Sequence, residues 1–292
     1  MVTSCLVCEG PLGPARHLPG LLECSRCGFV TTDLNLSPED FERLYSADYF
    51  HGAEYHDYVG EQALIERHFE SRLKMLLRHV PDAETKTVFE IGCAYGFFLN
   101  VARTYFRSVR GIDISRDAVA HAAGTLGLPA TVGDYLDLDI SAPVDVVCLW
   151  DTIEHLQSPH RYIEHAAAHL RPEGVLALTT GDIGSAVARW RGTRWRQIHP
   201  PTHLHYFSRA TLTGLLERHG FTVEAARYDG MYRSLDTIAY IVFTIKRRQP
   251  WAYAWLKRTG LLRLNLYLNL FDIIYVVARK PAERSVPALE LR

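Results

Sequence analysis

The residues best suited to chemistry fall into two sets with telling spacing. Cys5, Cys8, Cys24 and Cys27 make two CxxC pairs separated by fifteen residues, with Gly10 and Gly28 following the pairs. Each pair folds into a knuckle that turns two thiolates toward one point, and four thiolates at about 2.3 Å complete a closed tetrahedral zinc site. No coordination position stays open, so this zinc is expected to be structural. The second set is Trp150-Asp151-Thr152-Ile153-Glu154-His155, two acids and a histidine directly after an apolar run. Removing a proton from an oxygen or nitrogen nucleophile near neutral pH calls for a base such as histidine. His155 is the candidate base, and Glu154 can orient it or raise its pKa.

These groups need elements to hold them. Val88 to Leu99 reads VFEIGCAYGFFL, an apolar β-type run, a glycine turn from Gly92 to Gly96, and a second apolar run that fits a helix. Such a corner presents backbone N–H groups to a ligand at the carboxyl end of a strand. Its GxxxG spacing departs from the dinucleotide pattern GxGxxG, and Glu90 suits a ligand with an ammonium group. The pattern then alternates strands with helices. Val109 to Ile114 reads as a second strand whose Asp113 stands where an acid accepts ribose hydroxyls in nucleoside-binding α/β folds. Ala130 to Val132 is a third, ending in Asp134 and Tyr135, a tip for an adenine amino group and ring face. Val144 to Leu149 is a fourth and Val175 to Thr180 a fifth. Thr222 to Tyr228 and Ile273 to Ala278 follow around a long insert. Upstream, apolar residues at 65, 69, 73, 76 and 77 mark an amphipathic helix, and Ser208 caps another that runs to Gly220.

Within this succession of strands and helices, EIGCAYG resembles the first motif of class I S-adenosylmethionine-dependent methyltransferases, and the resemblance covers Val88 to Lys280. It implies a Rossmann-like α/β fold, a seven-stranded mostly parallel sheet with the last strand antiparallel, behind a small N-terminal four-cysteine zinc ribbon. It also implies S-adenosylmethionine as cofactor, held by Glu90, the backbone at Gly92, Ala94 and Gly96, the acid Asp113 with Ile114, Asp134 with Tyr135, and Trp150. DTIEH is similar to the ExxEH of ubiquinone-pathway and small-RNA methyltransferases, which implies a divalent metal on Asp151, Glu154 and His155, with a later histidine as fourth ligand. The run from Trp195 to Ser208, WRQIHPPTHLHYFS, resembles a zinc-ribbon subgroup. There Pro200 and Pro201 are expected to hold an extended backbone, with His199 and His203 facing the pocket and assisting His155, and His205 solvated.

The chain divides into a ribbon (1–33), a helical and aromatic linker and lid (34–80) rich in Tyr49, Phe50, His51, Tyr55, His56 and Tyr58, and a catalytic domain (81–292) with a substrate cap at 230–270. A formal net charge of −1 argues against a nucleic-acid partner, and the ribbon holds only Arg16 and Arg26. No apolar run reaches the roughly 18 residues of a membrane span, so the expectation is a soluble, cytoplasmic protein. Arg189 to Arg196 and Lys246 to Arg263 mix cations with Trp and Tyr, which keeps peripheral membrane contact open. The expected activity is methyl transfer to an oxygen, nitrogen or carbon of a small-molecule or carbohydrate-type acceptor, one that is hydrophobic or lipid-linked if the cap binds it. An RNA methyltransferase that uses the ribbon, and a non-catalytic interaction module, are the alternatives.

Overall fold

The structure is a computed structural model that describes residues 4–34, 36, 37, 40, 44 and 58–282. Of the expected linker and lid, Tyr49, Phe50, His51, Tyr55 and His56 lie outside them. Strands β1 (Leu12–Pro14), β2 (Leu22–Cys24) and β3 (Val30–Thr31) form the N-terminal unit. Helix α1 (Gln62–Leu76) then leads into β4 (Thr87–Ile91), α2 (Phe97–Ala102), β5 (Ser108–Asp113), α3 (Arg116–Gly124) and β6 (Ala130–Val132). After β7 (Val144–Trp150) come α4 (Pro159–His169), β8 (Leu170–Gly181), α5 (Ala186–Arg191), the two-residue β9 (His205–Tyr206) and α6 (Arg209–Arg218). β10 (Thr222–Ser234), α7 (Leu235–Ala239), α8 (Pro250–Arg258) and β11 (Asn265–Arg279) complete the described chain.

Seven strands make one sheet in the order β10-β11-β8-β7-β4-β5-β6. β4 to β8 pair in parallel, while β11 lies antiparallel between β8 and β10. The expected sheet is borne out. Because side chains alternate along a strand, β7 sends Val146, Cys148 and Trp150 into one core and Val147 and Leu149 into the other. β11 does the same with Tyr275 and Val277 against Ile274, Val276 and Ala278. Both faces are covered, as expected of parallel strands that read as continuous apolar runs.

Two features differ from what periodicity suggested. The last two strands continue well beyond Tyr228 and Ile273, as a hairpin arm with a bulge between Asp229 and Met231. Gly230 sits at that bulge, where a Cβ would meet the Leu268 carbonyl oxygen at 2.7 Å. A glycine that reads as a strand end is here a close backbone approach. The ribbon also recruits a distant segment: β3 pairs with β9, Val30 opposite Tyr206 and Thr31 opposite His205, giving a second sheet β1-β2-β3-β9. Cys5, Val7, Cys24 and Phe29 share a core with Leu212, Leu215 and Phe221.

Candidate active site

A cavity of about 650 Å³ opens over the carboxyl ends of β4, β5, β6 and β7. Crossover connections leave β4 in opposite directions to β5 and β7, and a crevice at that switch point is where such sheets bind ligands. Gly92 has φ +74°, and a Cβ there would lie 2.7 Å from the Thr152 side chain. Gly96 has φ +79°, with Leu128 Cδ1 2.6 Å from the same imaginary atom. Both glycines are needed for handedness and for space.

Four acids on this side border the cavity: Glu90, Asp113, Asp134 and Asp137. Glu90 is buried at 2% exposure, and its Oε2 has no hydrogen-bond partner. Burial, and secondarily Asp113, pushes its carboxyl well above the usual range. A cation at that oxygen would relieve both penalties. Asp113 accepts from the N–H groups of Ala94 and Ser115, each at 2.8 Å, while burial raises its pKa. Ala94 itself has φ +44°, an unusual geometry for a residue with a Cβ, held beside the cavity by that bond. Asp134 accepts through Oδ1 from Leu136 N at 2.8 Å and Tyr162 Oη at 2.5 Å. Ile114, partly exposed, and Trp150 line the cavity as expected. Tyr135 borders the cavity too, but its side chain is buried in the core: its hydroxyl lies 3.0 Å from His169 Nδ1, and its ring packs edge-on against His165. A ring this large finds more apolar contact inside than over a ligand, so Tyr135 cannot supply the ring face for a base.

The other end of the cavity begins at the turn after β7. Asp151, at φ +50°, accepts from Arg72 Nη1 at 2.8 Å and from Thr179 Oγ1 at 3.0 Å. Burial pushes its carboxyl up, but the Arg72 guanidinium outweighs this and holds it below the usual range. Arg72 is wholly buried and also donates through Nε to Asp229 Oδ2 at 2.9 Å. Its guanidinium carbon lies 5.6 Å from the centre of the Trp150 ring. Asp151 is therefore paired as a structural anion, and the ligand set expected of Asp151, Glu154 and His155 does not form around it. Arg72, His68 and Asp229 were not apparent as site residues. The available signal was that His68 and Arg72 fall on the apolar stripe of α1, where an ionisable residue needs a buried partner.

Instead, ligand atoms of Glu154, His155 and His203 lie within 4.8 Å of one another. Among these, only His155 borders the cavity. Its Nδ1 is 2.9 Å from the Thr202 carbonyl oxygen. A carbonyl only accepts, so Nδ1 carries the proton and Nε2 keeps its lone pair. Burial lowers its pKa to about 4, leaving the ring neutral at ordinary pH. Glu154 is buried with Oε2 unpartnered, and burial followed by Asp151 raises its pKa to about 8. His203 packs edge-on against His155 with ring centres 4.5 Å apart, and His199 lies 3.9 Å from His203. His199 Nδ1 pairs with Thr202 Oγ1 at 2.5 Å. Neither His199 nor His203 lines the cavity, so both back His155 from behind. The Pro200–Pro201 peptide is cis, where the sequence suggested an extended run.

His205 is buried rather than solvated: Thr31 Oγ1 lies 2.9 Å from its Nδ1, and Phe29 stacks on its ring at 5.7 Å. Through β9 the ribbon touches the site. Thr32 N donates to Leu204 O at 2.9 Å, and the N–H groups of Leu204 and His205 both donate to the Glu154 carbonyl, at 2.9 and 3.1 Å. At the ribbon tip Cys5 and Cys27 sulfurs are 3.6 Å apart, and those of Cys8 and Cys24 3.5 Å. Tetrahedral Zn–S bonds imply sulfur separations of about 3.8 Å, so the cluster has the right size. A Cβ at Gly10 would crowd Cys24 Sγ at 3.1 Å and Cys8 Sγ at 3.2 Å, so the knuckle is shaped around the sulfurs. Tyr58, from the aromatic linker, borders the cavity and stacks on Phe97 at 5.3 Å.

Residues 63–226 match the family model described as a methyltransferase domain. A ubiquinone biosynthesis O-methyltransferase of Caulobacter vibrioides is 31% identical over 146 residues, covering 42% of this chain and 58% of that protein. A Mycolicibacterium smegmatis protein named as a probable S-adenosylmethionine-dependent methyltransferase is 30% identical over 141 residues, 48% of this chain and 53% of the other. The chain thus spans about half the length of these curated relatives. Among solved structures, magnesium protoporphyrin IX methyltransferase of Synechocystis PCC 6803, with bound SAH, superposes with a TM-score of 0.56 at 13% identity. That overlap covers 84% of this chain and all of the other, a likeness of fold.

Proposed function

The chain belongs to the methyltransferase domain family, and we propose that it transfers a methyl group from S-adenosylmethionine to a small-molecule or carbohydrate-type acceptor, with His155 withdrawing the acceptor's proton. One observation carries the reading: the same cavity is bordered by an unpartnered buried carboxylate oxygen at one end and by the imidazole of a tautomer-fixed histidine at the other. Glu90 suits the cofactor's ammonium, Asp113 its ribose hydroxyls and Asp134 the adenine amino group, with Ile114 as an apolar shelf. The cofactor brings a methyl group already activated on a sulfonium. What this chain adds is alignment and proton handling. The Thr202 carbonyl fixes the His155 ring so that Nε2 faces the acceptor side. His199 and His203 brace it from behind, and Arg72 pins the Asp151 turn beneath it.

The unpartnered Glu154 Oε2 beside His155 and His203 favours a second reading, in which these three residues hold a divalent cation. Two imidazoles and a carboxylate are a borderline donor set suited to first-row metals, and a bound ion would lower the pKa of an acceptor hydroxyl. His155 Nε2 cannot be both ligand and base. The four cysteines are assigned a structural zinc, for which their sulfur spacing is the support. Metal analysis of purified protein, before and after EDTA, separates the readings. One zinc per chain with EDTA-resistant methyl transfer supports the histidine base. A second ion whose loss on Glu154→Gln parallels loss of transfer supports the metal.

A further inference from the structure

Helix α8 is turned inside out. Trp251, Ala254, Trp255 and Arg258 are exposed at the i, i+3, i+4, i+7 spacing of one helical face, and Pro250 and Lys257 are exposed beside it. The tryptophans are 71% and 65% exposed. The opposite face fastens the helix to the protein: Tyr253 Oη donates to Asp236 at 3.1 Å, Lys257 Nζ lies 3.3 Å from the same carboxylate, and Tyr253 meets the Tyr240 ring at 5.4 Å. The helix is thus held by its polar edge and shows its apolar stripe to the outside. Leu261 and Leu264, just beyond it, are also largely exposed. Across 238–271 the sequence has six lysines and arginines and no acid, in a chain of net charge −1.

We propose that this insert docks on the surface of a bilayer with anionic headgroups, α8 lying in the interface with Trp251 and Trp255 among the upper acyl chains and headgroups. Tryptophan is the residue whose apolar body and N–H suit that boundary, and flanking cations gain from a negative surface potential. Lys246, Arg247, Arg248 and Arg258 are exposed around the stripe. A two-fold contact with a second copy would set this cationic patch against itself, which like charges oppose. Single-stranded nucleic acid could stack on the tryptophans but has no use for exposed leucines beside them; a bilayer takes both.

The test is co-flotation of the full chain with phosphatidylcholine vesicles, with and without phosphatidylglycerol as a third of the lipid, read together with tryptophan emission. The expected result is association with anionic vesicles only, a blue-shifted emission, and release by high salt. Trp251→Ala with Trp255→Ala lowers partitioning at least about tenfold, and Arg247→Gln with Arg248→Gln lowers it roughly fivefold per charge. Each variant is checked for an unchanged melting curve. Quenching of wild-type tryptophan by brominated lipid supports the proposal without any variant. No association with anionic vesicles, or undiminished association of the double tryptophan variant, overturns it. So does protection of the two tryptophans by self-association or by an RNA oligonucleotide while vesicles leave them exposed.

Discussion

The two ends of the cavity are built differently. Glu90, Asp113 and Asp134 come from one continuous stretch, 90–134, each acid standing at or just past the tip of successive parallel strands. Around His155 the chain brings together α1, the β7 turn, the loop 199–205 and β10. Arg72 reaches Asp151 across 79 positions and Asp229 across 157. The first end is a local device repeated along a sheet edge; the second exists only once the fold has closed. Disturbing the second is therefore expected to cost the whole molecule, and disturbing the first to cost ligand affinity.

The largest effect should come from Arg72→Met, which leaves the buried Asp229 and the half-buried Asp151 without their cation. A stability loss of about 3–5 kcal/mol in urea unfolding is expected, as for other broken buried pairs. Arg72→Met with Asp229→Leu should recover part of it. A loss below 1 kcal/mol would mean that the network does not hold the two halves together.

Acid should act next. Burial, and then Arg72, lowers the His68 pKa to about 2, and burial lowers that of His169 to about 4. The unfolded chain takes up these protons near pH 6.5 while the folded chain refuses them, so stability falls as pH drops from 6.5 toward 4. Urea midpoints measured between pH 8 and 4 should be flat at first and then decline. His68→Phe and His169→Phe should flatten the decline; if neither does, these histidines are not held neutral.

Smaller effects separate the ends more finely. Tyr162→Phe removes one donor from Asp134 and should weaken S-adenosylhomocysteine binding about fivefold, the value of roughly one hydrogen bond. Thr31→Val cuts the ribbon's bond to His205 at a cost of about 1 kcal/mol, and cofactor affinity should be unchanged. If Thr31→Val weakens the cofactor as much as Tyr162→Phe does, the two ends are not independent.

The same contrast explains what could be read from the sequence. Glu90, Asp113, Asp134 and His155 were legible because each follows an apolar run whose period announces a strand, and strand tips in such sheets converge on one crevice. The four cysteines were legible from spacing alone. Arg72 and His68 were not, because a helix stripe read by hydropathy passes over a charge whose partner lies elsewhere in the chain. Asp151 looked like its neighbours Glu154 and His155, yet its left-handed backbone turns it toward Arg72. Tyr135 followed an acid at a strand tip, but local sequence does not reveal which way a ring turns. Neither β9 nor the bulge at Gly230 has a period long enough to detect.

Whether the cavity binds the methyl donor through its acids is decided by isothermal titration with S-adenosylhomocysteine. Micromolar binding is expected for the wild-type protein, and a loss of about a hundredfold in Asp113→Ala, which removes the proposed acceptor of two ribose hydrogen bonds. Absence of binding to a folded, metal-replete protein, or equal affinity in the Asp113→Ala variant, would contradict it.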